Sequence, residues 1–164
     1  MARIEKYNDP EAINIVGCSY NSGMYDFEIN YDTAVTYWRR GSELNSAQAH
    51  FNLGTAYRTG RGVDAIDLNQ TIHYYQCAAM EGHELARYQL GTVDYNRGKR
   101  GRAMRHYIIA ARCGHDDSLK KVKEGYRLGL VTKEDFANTL RCFQAEVNEI
   151  KSEQRERAKV AMGL

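Results

Sequence analysis

A short pattern that returns at regular intervals limits this chain to a narrow set of folds. Val16-Gly17-x-x-Tyr20-x-x-Gly23 reappears 37 residues later as Leu53-Gly54-x-x-Tyr57-x-x-Gly60. A third copy, Leu90-Gly91 with Tyr95 and Gly98, carries one extra residue before its tyrosine. A fourth, Val122-Lys123-x-x-Tyr126-x-x-Gly129, has lysine where the others have their first glycine. Self-similarity at this period marks stacked units, none of which can bury its apolar face alone.

A second segment alternates with the first. It reads Val35-x-Tyr37-Trp38, then Ile72-x-Tyr74-Tyr75-x-x-Ala78-Ala79-x-x-Gly82-His83, then Met104-x-His106-Tyr107-x-x-Ala110-Ala111-x-x-Gly114-His115. Apolar and aromatic residues three and four apart share one face of a helix, so each unit holds two helices, A and B. The spacing predicts A helices near 10–22, 47–59, 85–97 and 117–128. B helices are expected near 32–43, 69–81 and 102–113, with a long one from 133. The units fall at about 8–46, 47–83, 84–115 and 116–131, and residues 132–164 form the long C-terminal helix with its charged tail.

Glycine does most of the punctuation, with 14 glycines against a single proline. Gly54 stands inside helix A, where glycine costs about 1 kcal/mol relative to alanine, so a close approach of another helix is expected there. Gly60 stands where the helix stops, in a position that favours a left-handed residue. Gly17 and Gly91 repeat the first role, and Gly23, Gly98 and Gly129 the second. The tyrosines Tyr20, Tyr57, Tyr95 and Tyr126 recur at one repeat position and are expected in the core. Asn8-Asp9-Pro10 reads as a cap followed by proline at the first helical position. Thr132-x-x-Asp135 is a variant of the capping box, and Phe136, Leu140, Phe143, Val147 and Ile150 continue from it as a stripe able to cover the end of the stack.

The motif Ala49-x-x-x-Leu53-Gly54-x-x-Tyr57-x-x-Gly60-x-Gly62-Val63, followed by Tyr74-Tyr75-x-x-Ala78-Ala79-x-x-Gly82-His83, resembles the Sel1-like repeat family, a relative of the tetratricopeptide repeats. The long GxGV turn separates it from its shorter relative. The ending TKEDFANTLRCFQAEVNEIKSEQRERA is similar to the tails of repeat proteins from families expanded in single-celled algae and related protists. The resemblance implies an all-α, right-handed α-α superhelix, or solenoid, of helical-hairpin repeats with a long C-terminal capping helix. It also implies a non-catalytic protein-protein interaction module, an adaptor or scaffold, that binds a partner protein or peptide on a concave face lined by A helices. Residues flanking the Leu-Gly step would point to that face: Asn52, Thr55 and Arg58 in the second unit, Gln89 and Thr92 in the third, Lys121, Glu124 and Arg127 in the fourth.

Composition narrows the alternatives. With 23 Lys and Arg against 21 Asp and Glu, net charge does not select nucleic acid or an anionic membrane. Local charge stands out only in RGKRGRAMRH, where Arg97, Lys99, Arg100, Arg102 and Arg105 surround the short turn of the third unit with no acidic residue among them. A nucleic acid or acidic ligand binding through turn 97–105 is the alternative to a protein partner. No apolar run approaches the roughly 20 residues that cross a bilayer, and the first residues lack a signal-peptide apolar stretch. The expectation is a cytoplasmic chain with no membrane association, a monomer or a homodimer formed through the C-terminal helix.

Signatures of chemistry are absent. A phosphate loop needs GxxxxGK[ST], whereas five residues separate Gly54 from Gly60 and Arg61-Gly62 follows. Cys18, Cys77, Cys113 and Cys142 form no CxxC pair and read as buried free thiols. His73 and Cys77 lie one helical turn apart without the further ligands that a metal site requires. His83 and His115 follow glycine at equivalent helix ends, where a cationic or hydrogen-bonding group suits the helix C-terminus. No nucleophile elbow, HExxH or paired-carboxylate pattern occurs, so no enzyme activity, cofactor or metal is expected.

Overall fold

The computed structural model describes residues 9–162, all of whose regular structure is helical. The expected cap residue Asn8 and the end of the predicted tail lie outside the described residues. Two compact units divide the chain, one ending at Ala86 and one beginning at Arg87.

The first unit contains α1 (Pro10–Ser22), α2 (Tyr31–Glu43), α3 (Ala47–Thr59) and α4 (Leu68–Met80). Each start is set by a side-chain acceptor for the free N–H groups of the first turn. Asp9 accepts from Glu11 N–H with Pro10 beginning the helix, Asn30 from Thr33 N–H, Ser46 from Ala49 N–H, and Asp67 from Asn69 and Gln70 N–H. Gly60 closes α3 at φ 75°, its N–H bonded to the Ala56 carbonyl. This is the left-handed geometry that a side chain resists. A short 3₁₀ turn, Met24–Asp26, follows α1, and Tyr25 and Asp26 there take φ of 58° and 62°.

Helices A and B of a hairpin meet where glycine removes the Cβ. A Cβ on Gly54 would lie 2.5 Å from the Tyr75 ring, so the ring of α4 rests against bare backbone of α3. Gly17 meets Trp38 and Gly91 meets Tyr107 in the same way. Around the first two hairpins, Val35, Trp38 and Leu53 form a buried cluster. Area removed from water by such side chains stabilises the fold by about 25 cal/mol per Å².

Helix α5 (Glu84–Asn96) lies in the second unit from Arg87 onward, with α6 (Arg100–Arg112), α7 (Asp116–Arg127) and α8 (Lys133–Met162). Met104, Tyr107, Leu119, Val122 and Val131 form its core, with Phe136, Leu140 and Phe143 of α8 packed against it. At Thr132 the hydroxyl accepts from Asp135 N–H at 3.1 Å and donates to the Asp135 carboxylate at 2.8 Å. The carboxylate thus returns to the cap hydroxyl rather than to the cap N–H.

The first part of α8 acts as a fourth helix B, stacking Phe136 on Tyr126 at 4.4 Å. The α4 and α6 helices end at Gly82 and Gly114, both left-handed. The matching position in α8 is Val147, so no stop occurs and the helix runs on. Residues 148–158 are all exposed.

At the fourth copy's departure from the repeat, Lys123 is exposed, while Gly125 is buried with its bare face toward Met104 and Val131. Two expectations need correction. The recurring tyrosines border the core rather than fill it, Tyr20 and Tyr95 packing against its buried clusters. Tyr20, Tyr57 and Tyr95 are half-buried and Tyr126 is exposed, because the ring one step inward on helix B fills the interior. Cys18 and Cys77 are half-buried, but Cys113 and Cys142 are exposed, since Cys113 ends α6 and Cys142 lies on the outer side of α8.

Candidate binding surface

In the first unit, the polar residues assigned to the helix A face are tied into the fold. Asn52 donates from Nδ2 to Asn14 Oδ1 at 2.9 Å and to the Cys18 thiol at 3.4 Å, joining α3 to α1. Thr55 meets the Tyr75 hydroxyl at 3.2 Å, and Arg58 donates from Nε to that same oxygen at 3.2 Å. Tyr75 is wholly buried, so its hydroxyl must find a partner, and it reaches through α3 to find two. Beside these groups, a recess of about 140 Å³ opens between α1 and α3, flanked by Asn21, Asn52, Thr55, Thr59 and Arg61. Burial pushes the Cys18 thiol above its ordinary pKa, which keeps it protonated and unreactive.

The second unit repeats the tyrosine contact. Tyr107 donates to Thr92 Oγ1 at 3.3 Å, while Thr92 donates to the Tyr88 carbonyl. Burial raises the Tyr107 phenol above its usual range. Lys121 and Glu124 pair at 3.3 Å, Gln89 is half-buried, and Arg127 is exposed. The role of Thr55 and Thr92 in holding a buried tyrosine is invisible in helical spacing, which shows only that they neighbour the Leu-Gly step.

The basic turn contains a feature absent from the sequence reading. Asp94 is 2% exposed and accepts from Arg102 Nε at 2.6 Å, with His106 Nε2 at 3.6 Å from the same carboxylate oxygen. Arg102 is therefore turned to an internal partner. Arg100 lies over the Tyr95 ring at 6.0 Å, and Arg97, Lys99, Arg100 and Arg105 are exposed. Burial, outweighing the nearby Asp94 charge, lowers the His106 pKa. The extra residue in LGTVDYNRG is the signal that could have located this pair.

His83 and His115 serve the helix that follows, not the one that ends. His83 Nδ1 accepts from Ala86 N–H at 3.2 Å while Nε2 meets Gln48 Oε1 at 3.0 Å. His115 Nδ1 accepts from Ser118 N–H at 3.1 Å. Accepting at Nδ1 requires the neutral imidazole, so the cationic reading at these helix ends is replaced by N-capping. Desolvation lowers the His83 pKa, consistent with that state. His73 Nε2 and Cys77 Sγ are 3.9 Å apart, and among the described residues no three such ligands converge. Among them, no helix is long and apolar enough to cross a membrane.

The Sel1 repeat profile matches residues 10–46, 47–83 and 84–115. The chain belongs to the Sel1 repeat family. Sel1 repeats generally mediate protein-protein interactions and are typically non-catalytic. Among solved structures, the chain is similar to a protective antigen of uropathogenic Escherichia coli that displays an SLR fold, with 24% identity and a TM-score of 0.71, covering 87% of this chain and 31% of that one. It is likewise similar to a Sel1 repeat protein from Oxalobacter formigenes, with 25% identity and a TM-score of 0.70, covering 86% and 60%. These likenesses show the all-α, solenoid-type repeat fold. The chain spans less than two thirds of either structure's length. No curated protein matches it.

Proposed function

We propose that this Sel1 repeat chain is an adaptor or scaffold that holds an extended segment of a partner protein along its helix A face. The supporting observation is the recess of about 140 Å³ between α1 and α3, which places Asn52 and Thr55 beside Asn21, Thr59 and Arg61. Hydroxyl, amide and guanidinium groups at the rim suit a peptide backbone, whose carbonyls and N–H groups need partners when they leave water.

Because Asn52, Thr55 and Arg58 hold the fold together, the test uses neighbours with fewer internal duties. A chain carrying Asn21→Lys and Thr59→Lys is compared with the unaltered chain and with Met80→Lys, an exposed position on α4, by affinity purification and mass spectrometry. A partner on the helix A face drops at least tenfold with the double variant and persists with Met80→Lys. Equal recovery from all three counts against this face.

Turn 97–105 supports a second reading, since four exposed cations remain there after Arg102 pairs with Asp94. Nucleic-acid binding at this turn weakens steeply with salt. A fluorescence titration that finds no RNA or DNA binding at low salt removes it.

A further inference from the structure

Away from the helix A face, a shallow cleft of about 440 Å³ lies between the end of α6 and the middle of α8, lined by Arg112, Asn138, Arg141, Cys142 and Ala145. Two guanidinium groups face one recess, and their charges are poorly answered. The Nε of Arg112 is buried and has no hydrogen-bond partner among the described residues. One Arg112 Nη is 3.9 Å from Asp135, at the outer limit of an ion pair, and the other oxygen of that carboxylate is engaged by the Thr132 hydroxyl. Arg141 donates to the neutral Asn138 amide oxygen, and no carboxylate among the described residues pairs with it. A buried donor left unsatisfied is destabilising, the more so when its group is charged.

We infer that this cleft is a second docking site, one that receives an acidic side chain of a partner protein. A carboxylate between Arg112 and Arg141 supplies what the protein omits: a counter-charge shared by two planar guanidinium forks. The Ala145 methyl and the Cys142 side chain form an apolar wall beside the charges. That combination suits the methylenes of glutamate, with its oxygens at the arginines. The site stands on B helices of the second unit, so it operates independently of the helix A recess in the first.

The test titrates fluorescein-labelled hexaglutamate into the full chain at low salt. Binding is expected, weakened at least tenfold by Arg141→Gln and by Arg112→Gln, and largely retained in Arg141→Lys. Arg141 is exposed, so its variants carry the result even if Arg112→Gln unfolds, which circular dichroism reveals. The bound peptide is also expected to slow maleimide labelling of Cys142 while leaving Cys77 in the first unit unaffected. Absence of binding, or a loss confined to a chain with Arg97→Gln and Lys99→Gln, overturns the assignment. Equal displacement by inorganic phosphate at the peptide's own concentration overturns the choice of an acidic side chain.

Discussion

The second and third hairpins follow the same repeat yet join their helices differently. Three residues after Gly54 comes Tyr57, whose ring stacks on Tyr74 at 5.6 Å and 8°. Three residues after Gly91 comes Asp94, and the counterpart of Tyr74 is His106, 3.6 Å from the Asp94 carboxylate with Arg102 closer still. One inserted residue has exchanged an aromatic stack for an ion pair on a buried carboxylate. The inner contact is unchanged, because Tyr75 lies on Gly54 and Tyr107 on Gly91, each within 2.6 Å of where a Cβ would stand. The repeat thus specifies its glycine-tyrosine contact strictly and the contact one helical turn outward loosely.

The largest expected effect tests the strict part. Gly54→Leu and Gly91→Leu each force a side chain into a tyrosine ring, and overpacking of this kind costs about 3 kcal/mol. For a chain of this size that lowers the melting temperature by roughly 6–12 °C. Calorimetry on the two variants should show similar losses. A large loss in one and none in the other breaks the equivalence of the hairpins.

A smaller effect tests the loose part. Asp94→Asn removes the buried charge and leaves Arg102 unanswered; the arginine side chain is 44% exposed, so water recovers part of the loss. A cost of about 2 kcal/mol is expected, below the range for a fully buried pair. In a double-mutant cycle with Arg102→Gln, denaturant unfolding should give a coupling of about 1 kcal/mol. Additive losses mean that the two side chains touch without supporting each other.

The helices were legible because their boundaries are written in local chemistry. Asp9-Pro10 and Thr132 announce starts, and Gly60 announces a stop within a residue of where α3 ends. The length of α8 was equally local, in the stripe Phe136, Leu140, Phe143, Val147 and Ile150 that follows its cap. Contacts between segments were harder to read. That Thr55 and Thr92 receive tyrosine hydroxyls depends on how far a ring reaches through a neighbouring helix. The Asp94–Arg102 pair depends on a one-residue shift in which the acid turns inward, and RGKRGRAMRH contains no hint of its partner eight positions before Arg102. The Arg112–Arg141 cleft joins side chains from two helices with no shared motif.

The smallest effect concerns how the second and third hairpins hand over to the next helix A. Both use a histidine after glycine, accepting at Nδ1 from the N–H three residues on. At His83 burial depresses the imidazole pKa in the folded chain, whereas the unfolded chain titrates near the ordinary value of about 6.5. The unfolded state therefore binds more protons below about pH 6.5. The contribution is fully present above that pH and is lost as pH falls toward the folded value, because a protonated Nδ1 cannot accept from Ala86 N–H. His50 and His106 shift in the same direction, also through burial, so the intact chain should lose stability between about pH 7.5 and 5.5. His83→Asn keeps an accepting cap without a titrating group, and should reduce that loss by up to about 1 kcal/mol. Urea unfolding at the two pH values measures it. An unchanged pH dependence in the variant would mean that capping by His83 survives protonation, and that the acid sensitivity resides instead in His50 and His106.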